Sequence, residues 1–280
     1  MSRDKQNVMA MVALTRPMLP NPERLIKRLD ARIGTQGDTT YEASETSIII
    51  PVAGGALIIA LIDAPYPRDD WMSLASRNWH WPDAAQAYDA QTAHLVISCG
   101  WAEDTPFDAH LKHAEVIAEI VDQLDAVSVF WASAMTEPAS VAVQLEDYRQ
   151  NGAVPTMLWL LYQITPQGPN QTVISTLGMD QFGLMELEAN PASLPPQDAW
   201  NVLQGLAAYL IVNGPVVNDG DTIGQDAEHK IVVRHQPSFR DGPGMVYALD
   251  FGLPPAMKPE PNSESGGFMK RIFGRAPKVR

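Results

Sequence analysis

Glu186 and Glu188 stand two residues apart in the segment TLGMDQFGLMELE, Thr176 to Glu188. On a strand that spacing puts both carboxylates on one face and turns Met185 and Leu187 to the other. Carboxylates paired in this way can hold a divalent cation, or shift each other's pKa and share acid–base work. The same pair on a wet sheet face does neither. Gly178 and Gly183 flank Phe182 in the segment, and glycine within a strand pattern marks a bulge or a close backbone approach. A second acidic set lies in VNDGDTIGQDAEHK, Val217 to Lys230, where Asn218, Asp219, Asp221 and Asp226 surround Gly220 and Gly224. It departs from the residue order of an EF-hand calcium loop, and Asp219-Gly220 is by itself a turn dipeptide. The candidate ligand-binding residues are therefore Gly178, Phe182, Gly183, Glu186, Glu188, Asp219 and Asp221, against the alternative that they shape a strand and its turns.

Other reactive side chains lack the company that chemistry requires. His110 and His113 sit three apart on a predicted helix, a spacing that ligates zinc when other ligands converge, with Cys99 and His94 nearest in sequence. No CxxC or HExxH accompanies them, and Cys99 ends an apolar run in which cysteine behaves as a small hydrophobe. G-x-S-x-G, Walker A and G-x-G-x-x-G motifs are absent too. No cofactor and no metal is expected. The tryptophan-rich stretch WMSLASRNWHW, Trp71 to Trp81, reads as a connection that folds down over a sheet, with a pocket or interface as the rival reading.

These groups sit in a chain of 280 residues, 45% hydrophobic and 19% charged, a profile that supports a sizeable core and argues against disorder. The single cysteine excludes an internal disulfide and predicts a reducing, cytoplasmic setting. The first apolar run is interrupted by Arg16 and Pro17, too short for a membrane span, and reads as a strand. The formal charge is −13, yet the last 24 residues carry six basic side chains against two acidic ones, so the body stands at −17. Such a body repels phosphate backbones and predicts no nucleic-acid partner. The terminal residues read as a linker, PEPNSESGG, and a basic segment, FMKRIFGR, which is either a passive end or a docking peptide for an acidic partner or an anionic membrane.

Strand-like and helix-like patterns alternate along the chain. Val8–Leu14 reads as a strand, Glu23–Arg32 as a helix, SIIIPV and ALIIALI as a hairpin around Ala53-Gly54-Gly55, Pro82–Gln91 as a helix and AHLVISC as a strand. A helix over Asp108–Leu124 leads to AVSVFW, a helix near Pro138–Arg149, TMLWLLYQI, QTVISTLG with its continuation LMELE, a helix over Pro195–Val212 capped by Ser193, KIVVRH and GMVYALDF. The reading is α+β: two βαββαβ (ferredoxin-like, split-βαβ) units, with mainly antiparallel sheets and helices packed on them. It assigns residues 1–105 to the first unit, 106–255 to the second, and 256–280 to linker and tail.

Together, FWASAMTEPASV (Phe130 to Val141), MLWLLYQI (Met157 to Ile164), TLGMDQFGLMELE and NDGDTIG resemble an uncharacterised bacterial family, domain of unknown function forty-two sixty-one. The resemblance is densest from about Thr176 to Phe251 and weaker back to about His94. Its pattern falls on Thr176, Gly178, Met179, Phe182, Gly183, Glu186, Leu187 and Glu188, then on Asp219, Gly220, Asp221, Thr222, Ile223 and Gly224. It implies no reaction. The expectation is a non-catalytic protein-binding or regulatory module, with an inhibitor or immunity role as one setting; the alternative is an enzyme or a small-ligand or divalent-cation binder built on Glu186, Glu188, Asp219 and Asp221.

Overall fold

The computed structural model describes residues 6–33, 40–53, 55–102, 105–168, 171–192, 195–224, 230–239 and 244–251. Ser193, Asp226 and the segment 256–280 lie outside them. The chain is α+β, with six α-helices among the described residues, and divides into two compact units, Met1–Leu161 and Tyr162–Arg280. No described helix is long and apolar enough to cross a membrane.

The first unit contains β1 (Gln6–Leu14), α1 (Pro22–Ile33), β2 (Glu42–Ala43), β3 (Ser47–Val52), β4 (Gly55–Ile62), α2 (Arg68–Ala75), β5 (Ala93–Trp101), α3 (Pro106–Val121), β6 (Ala126–Trp131), β7 (Ala134–Thr136), α4 (Pro138–Asn151) and α5 (Thr156–Trp159). Its strands form one antiparallel sheet in the order β2-β3-β4-β5-β1-β6-β7. The run AVSVFW is hydrogen-bonded to β1 within this sheet, so the first unit extends to Leu161 and the second begins well beyond residue 106. A strand that is apolar at all but one position, Ser128, carries no mark of the sheet it joins.

One face of this sheet presents Val8, Ala10, Val12, Leu57, Ile59, Leu95, Ile97 and Cys99, all at most 2% exposed. Helix α3 packs on it and α1 packs on α3, placing Leu25 and Leu29 in the same core. Helix α3 starts two residues earlier than its apolar spacing implies. Thr105 accepts a hydrogen bond from the Asp108 amide at 3.1 Å and donates to the Asp108 carboxylate at 2.7 Å, with Pro106 in the first turn. Arg149 of α4 reaches Glu115 of α3 with both carboxylate oxygens at 2.6 and 2.7 Å, tying the two helices together.

The other face is covered over β1, β6 and β7 by the tryptophan-rich connection. Tyr66, Trp71 and Trp81 are buried with Ala13, Phe130 and Met135, as the fold-down reading expected, while Trp79 stays 49% exposed. Tyr66 stacks on Phe130 at 4.3 Å, and the Trp71 indole donates to the Ala84 carbonyl at 2.7 Å. The stretch includes α2 rather than being a pure loop, and the helix expected over Pro82–Gln91 is a run of turns ending in a 3-10 segment, Gln86–Ala90. In the β3–β4 hairpin, a Cβ on Gly55 would collide with the Gly100 carbonyl, so only glycine fits there.

The second unit contains β8 (Leu161–Gly168), β9 (Gln171–Leu177), β10 (Glu186–Ala192), α6 (Pro196–Asn213), β11 (Thr222–Gly224), β12 (Lys230–Pro237) and β13 (Met245–Asp250). Its sheet runs β11-β12-β13-β10-β9-β8, antiparallel except that β10 and β13 are parallel neighbours. This is two antiparallel ribbons joined by α6, not the alternation of strands and helices that the pattern suggested. The expected strand TMLWLLYQI splits into α5 and β8. Helix α6 buries Trp200, Leu203, Ala207, Leu210 and Ile211 as its stripe requires, packs against β9 and β10, and stops at Gly214, whose φ is +79°.

Two expectations follow. Burial, and secondarily the neighbouring His110, hold the fully enclosed His113 imidazole down at about 3, from an ordinary 6.5. The folded protein keeps this ring neutral while the unfolded chain protonates it, so stability falls as pH drops below 6.5 toward 3, by at most about 1.4 kcal/mol per pH unit. Urea denaturation between these limits should show that slope, reduced in His113→Leu. At the β6–β7 turn Ala132 has φ +40° and is exposed. Ala132→Gly should raise stability by a few tenths to about 1 kcal/mol, read as a higher urea midpoint at unchanged slope.

Candidate functional site

The glycines and carboxylates of the family-like segment form a clamp around one turn. After β9 the chain enters a 3-10 turn, Met179–Phe182, entered by Gly178 at φ +109° and left by Gly183 at φ +70°. Those angles are costly for any residue with a Cβ. The turn's first amides have no internal partner, and the Glu186 carboxylate supplies one. Its Oε1 accepts from the Gly178 amide at 2.8 Å and the Met179 amide at 3.0 Å, while Oε2 accepts from the Thr176 hydroxyl at 2.6 Å. Thr176 Oγ1 in turn accepts from the Leu187 amide at 2.9 Å, in place of a direct bond between the two strands. Met179, Phe182 and Leu184 face inward. Burial pushes the Glu186 carboxyl above the usual range, against the pull of its three donors.

Glu188 is 2% exposed and belongs to a different clamp. Its Oε1 accepts from the Ser238 hydroxyl at 2.6 Å and its Oε2 from the Phe239 amide at 3.1 Å, fixing the chain where it leaves β12. A third clamp holds the loop before β11. Asp219 accepts from the His235 amide at 2.9 Å, Asp221 from the Asn218 amide at 2.7 Å, and the Gly220 amide donates to the Val233 carbonyl at 2.8 Å. Gly220 sits at φ +87°. His235 adds a ring contact to Tyr247 at 5.1 Å and lies 3.2 Å from the Val217 carbonyl through Nε2.

The seven expected site residues are thus distributed over three hydrogen-bonded clusters. Glu186, Gly178, Phe182 and Gly183 share the first; Glu188 forms the second; Asp219 and Asp221 form the third. Their partners Ser238, Phe239, Asn218 and His235 were not among the expected site residues, and no sequence spacing marks a pairing such as Glu188 with Ser238. The wet-face expectation for the two glutamates does not hold, because Glu188 is buried and Glu186 is half-buried. Chemically, each arrangement uses a carboxylate to terminate free backbone amides, which orders loops.

The remaining candidates do not converge. His94 and Cys99 lie at opposite parity on β5 and point to opposite faces of the sheet. Burial drives the Cys99 thiol up to about 12, away from the thiolate that nucleophilic attack needs. His94 Nδ1 lies 2.8 Å from the Ala64 carbonyl, and His110 Nδ1 lies 2.8 Å from the Pro106 carbonyl. Among the described residues no group of three or more His, Cys, Asp or Glu side chains is placed to hold a metal ion.

Removing the first clamp should cost more than removing a surface charge. Glu186→Ala strands two amides and a hydroxyl, and a loss of about 2–4 kcal/mol is expected in urea denaturation. Glu186→Gln keeps one acceptor and should lose less. Equal melting of wild type and Glu186→Ala would show that the clamp stabilises nothing.

No curated protein and no solved structure matches the chain. A family model matches residues 175–250, from the end of β9 through β13, and these residues hold all three clamps; Phe130–Val141 and Met157–Ile164 lie outside the match. The model that matches residues 175–250 is that of a domain of unknown function, DUF4261, and over this segment the chain is similar to that family.

Proposed function

We propose that the chain is a non-catalytic protein-binding or regulatory module of the bacterial cytoplasm, with inhibition of a basic toxin, or immunity to one, as a fitting setting. The observation that supports this reading is the use of all four candidate carboxylates on the protein's own donors. Glu186, Glu188, Asp219 and Asp221 each close a loop. What the body offers to a partner is its charge of −17, which draws in basic surfaces and repels nucleic acid. We further read β4-β5-β1-β6, with α1 and α3 as crossovers, as a ferredoxin-like plait carrying extra edge strands. The basic segment FMKRIFGR is read as either a passive end or a docking peptide for an acidic partner or an anionic membrane.

One observation favours the rival, a small-ligand or cation binder: the Glu186 carboxyl is held above its usual range, as acid–base groups often are. Calorimetric titration with calcium, magnesium and zinc separates the two readings. No heat at millimolar metal is expected, and affinity purification from the native cell should recover the same partner with wild type and with the Glu186→Gln, Glu188→Gln pair, once circular dichroism shows the pair folded. Metal heat that vanishes in the pair would establish the rival.

A further inference from the structure

The sheet of the first unit has one face that is only partly covered. Cross-strand register places Met9, Ser98, Ile58 and Ile49 side by side in one row across β1, β5, β4 and β3, with Met11, Val96, Ala60 and Ser47 in the next. Met9 is 54% and Ile58 44% exposed, and at the end of β4 Ile62 is 41% exposed. None of these residues is charged. Seven of the nine are apolar and the other two, Ser98 and Ser47, are small and neutral, and an exposed, largely apolar area on a sheet marks an interaction surface rather than a solvated one.

The chemistry of its border says what fits. Glu42 pairs with Ile49 and so extends the first row at the sheet edge, while Glu45 and Asp63 are exposed at the neighbouring strand ends. No lysine or arginine occurs between Arg32 and Arg68, nor between Arg77 and Lys112, the stretches that supply β2 to β5, and β1 holds none. An occupant must therefore bring apolar side chains to the centre and positive charge to the edge. The same sheet already shows what covers it elsewhere: α3 with α1 on the opposite face, and the α2 connection over β6 and β7. A helix is the element that lies on a twisted sheet face.

We infer that the open face over β3, β4, β5 and the Met9 end of β1, beyond the part that the tryptophan-rich connection covers, is the docking surface for a basic amphipathic helix of a protein partner. The inference rests on the protein-binding reading above and names the surface that carries it. Apolar contact with Met9, Ile49 and Ile58 holds the helix, and Glu42, Glu45 and Asp63 select its basic flanks.

The test uses the full chain and a fluorescent leucine–lysine peptide of about five helical turns. Binding is expected to weaken at least about tenfold in Met9→Glu and in Ile58→Glu. Both substitutions make the protein more acidic, so a loss cannot come from weaker general attraction to the peptide. Met9→Ser and Ile58→Ser serve if the glutamate variants misfold. Val143→Glu on α4, at a site 67% exposed, should bind as wild type does. A leucine–glutamate peptide should not bind. Peptide binding that ignores the face variants overturns the surface assignment and leaves the module reading standing. Absence of peptide binding overturns the assignment too, and the native purification then decides the module reading alone. A wild-type dimer that Ile58→Glu dissociates in sedimentation, or peptide binding seen only after removal of residues 256–280, assigns the face to a second copy or to the chain's own end and likewise overturns it.

Discussion

A carboxylate taken out of water must be met by donors or give up its charge, and the second unit is organised around that constraint. Glu188 is 2% exposed and Glu186 half-buried, both on β10, the strand that joins the two ribbons of the sheet. Each spends its lone pairs on amides that a turn leaves open. The turn after β9 takes the first and the chain beyond β12 takes the second. With backbone and carboxylate satisfying each other, neither the left-handed glycines nor the buried acids stand alone.

That reciprocity explains why residues with the look of an active site hold a fold together. Paired glutamates, glycines with positive φ and an Asp-Gly loop are the vocabulary of ligand sites, since close backbone approach and acceptor density are what a ligand needs. A tight turn has the same needs. In the matched segment, residues 175–250, side chains hold the loops that connect the regular elements.

Local patterns revealed much of the architecture, and non-local ones did not. Helices α1, α3, α4 and α6 and the β3–β4 hairpin follow from apolar spacing and turn residues. The cap from Thr105, and with it the true start of α3, lies outside the apolar spacing. AVSVFW is apolar at most positions, so nothing in it distinguishes pairing with β1 from founding a second sheet. The parallel contact of β10 with β13 joins residues about sixty positions apart, beyond any periodicity. At the candidate site, alternation correctly turned Leu187 inward, yet Glu188 meets Ser238 fifty positions away, and only the folded sheet brings them together.

The parallel junction also orders events in time. β10 cannot gain its neighbour until α6, β11 and β12 have been made and placed, so the interior of this sheet is completed by its last strand. Pairings of such long sequence separation form late and slowly, because the intervening chain must be confined before the contact repays it. A chain that has paired β9 with β10 before β13 emerges would leave the inner edge of β10 without its neighbour, and strands from other chains can add to such an edge. The clamp of Glu186 on the preceding turn draws on residues only about ten positions apart, and so can hold that ribbon in shape through the interval.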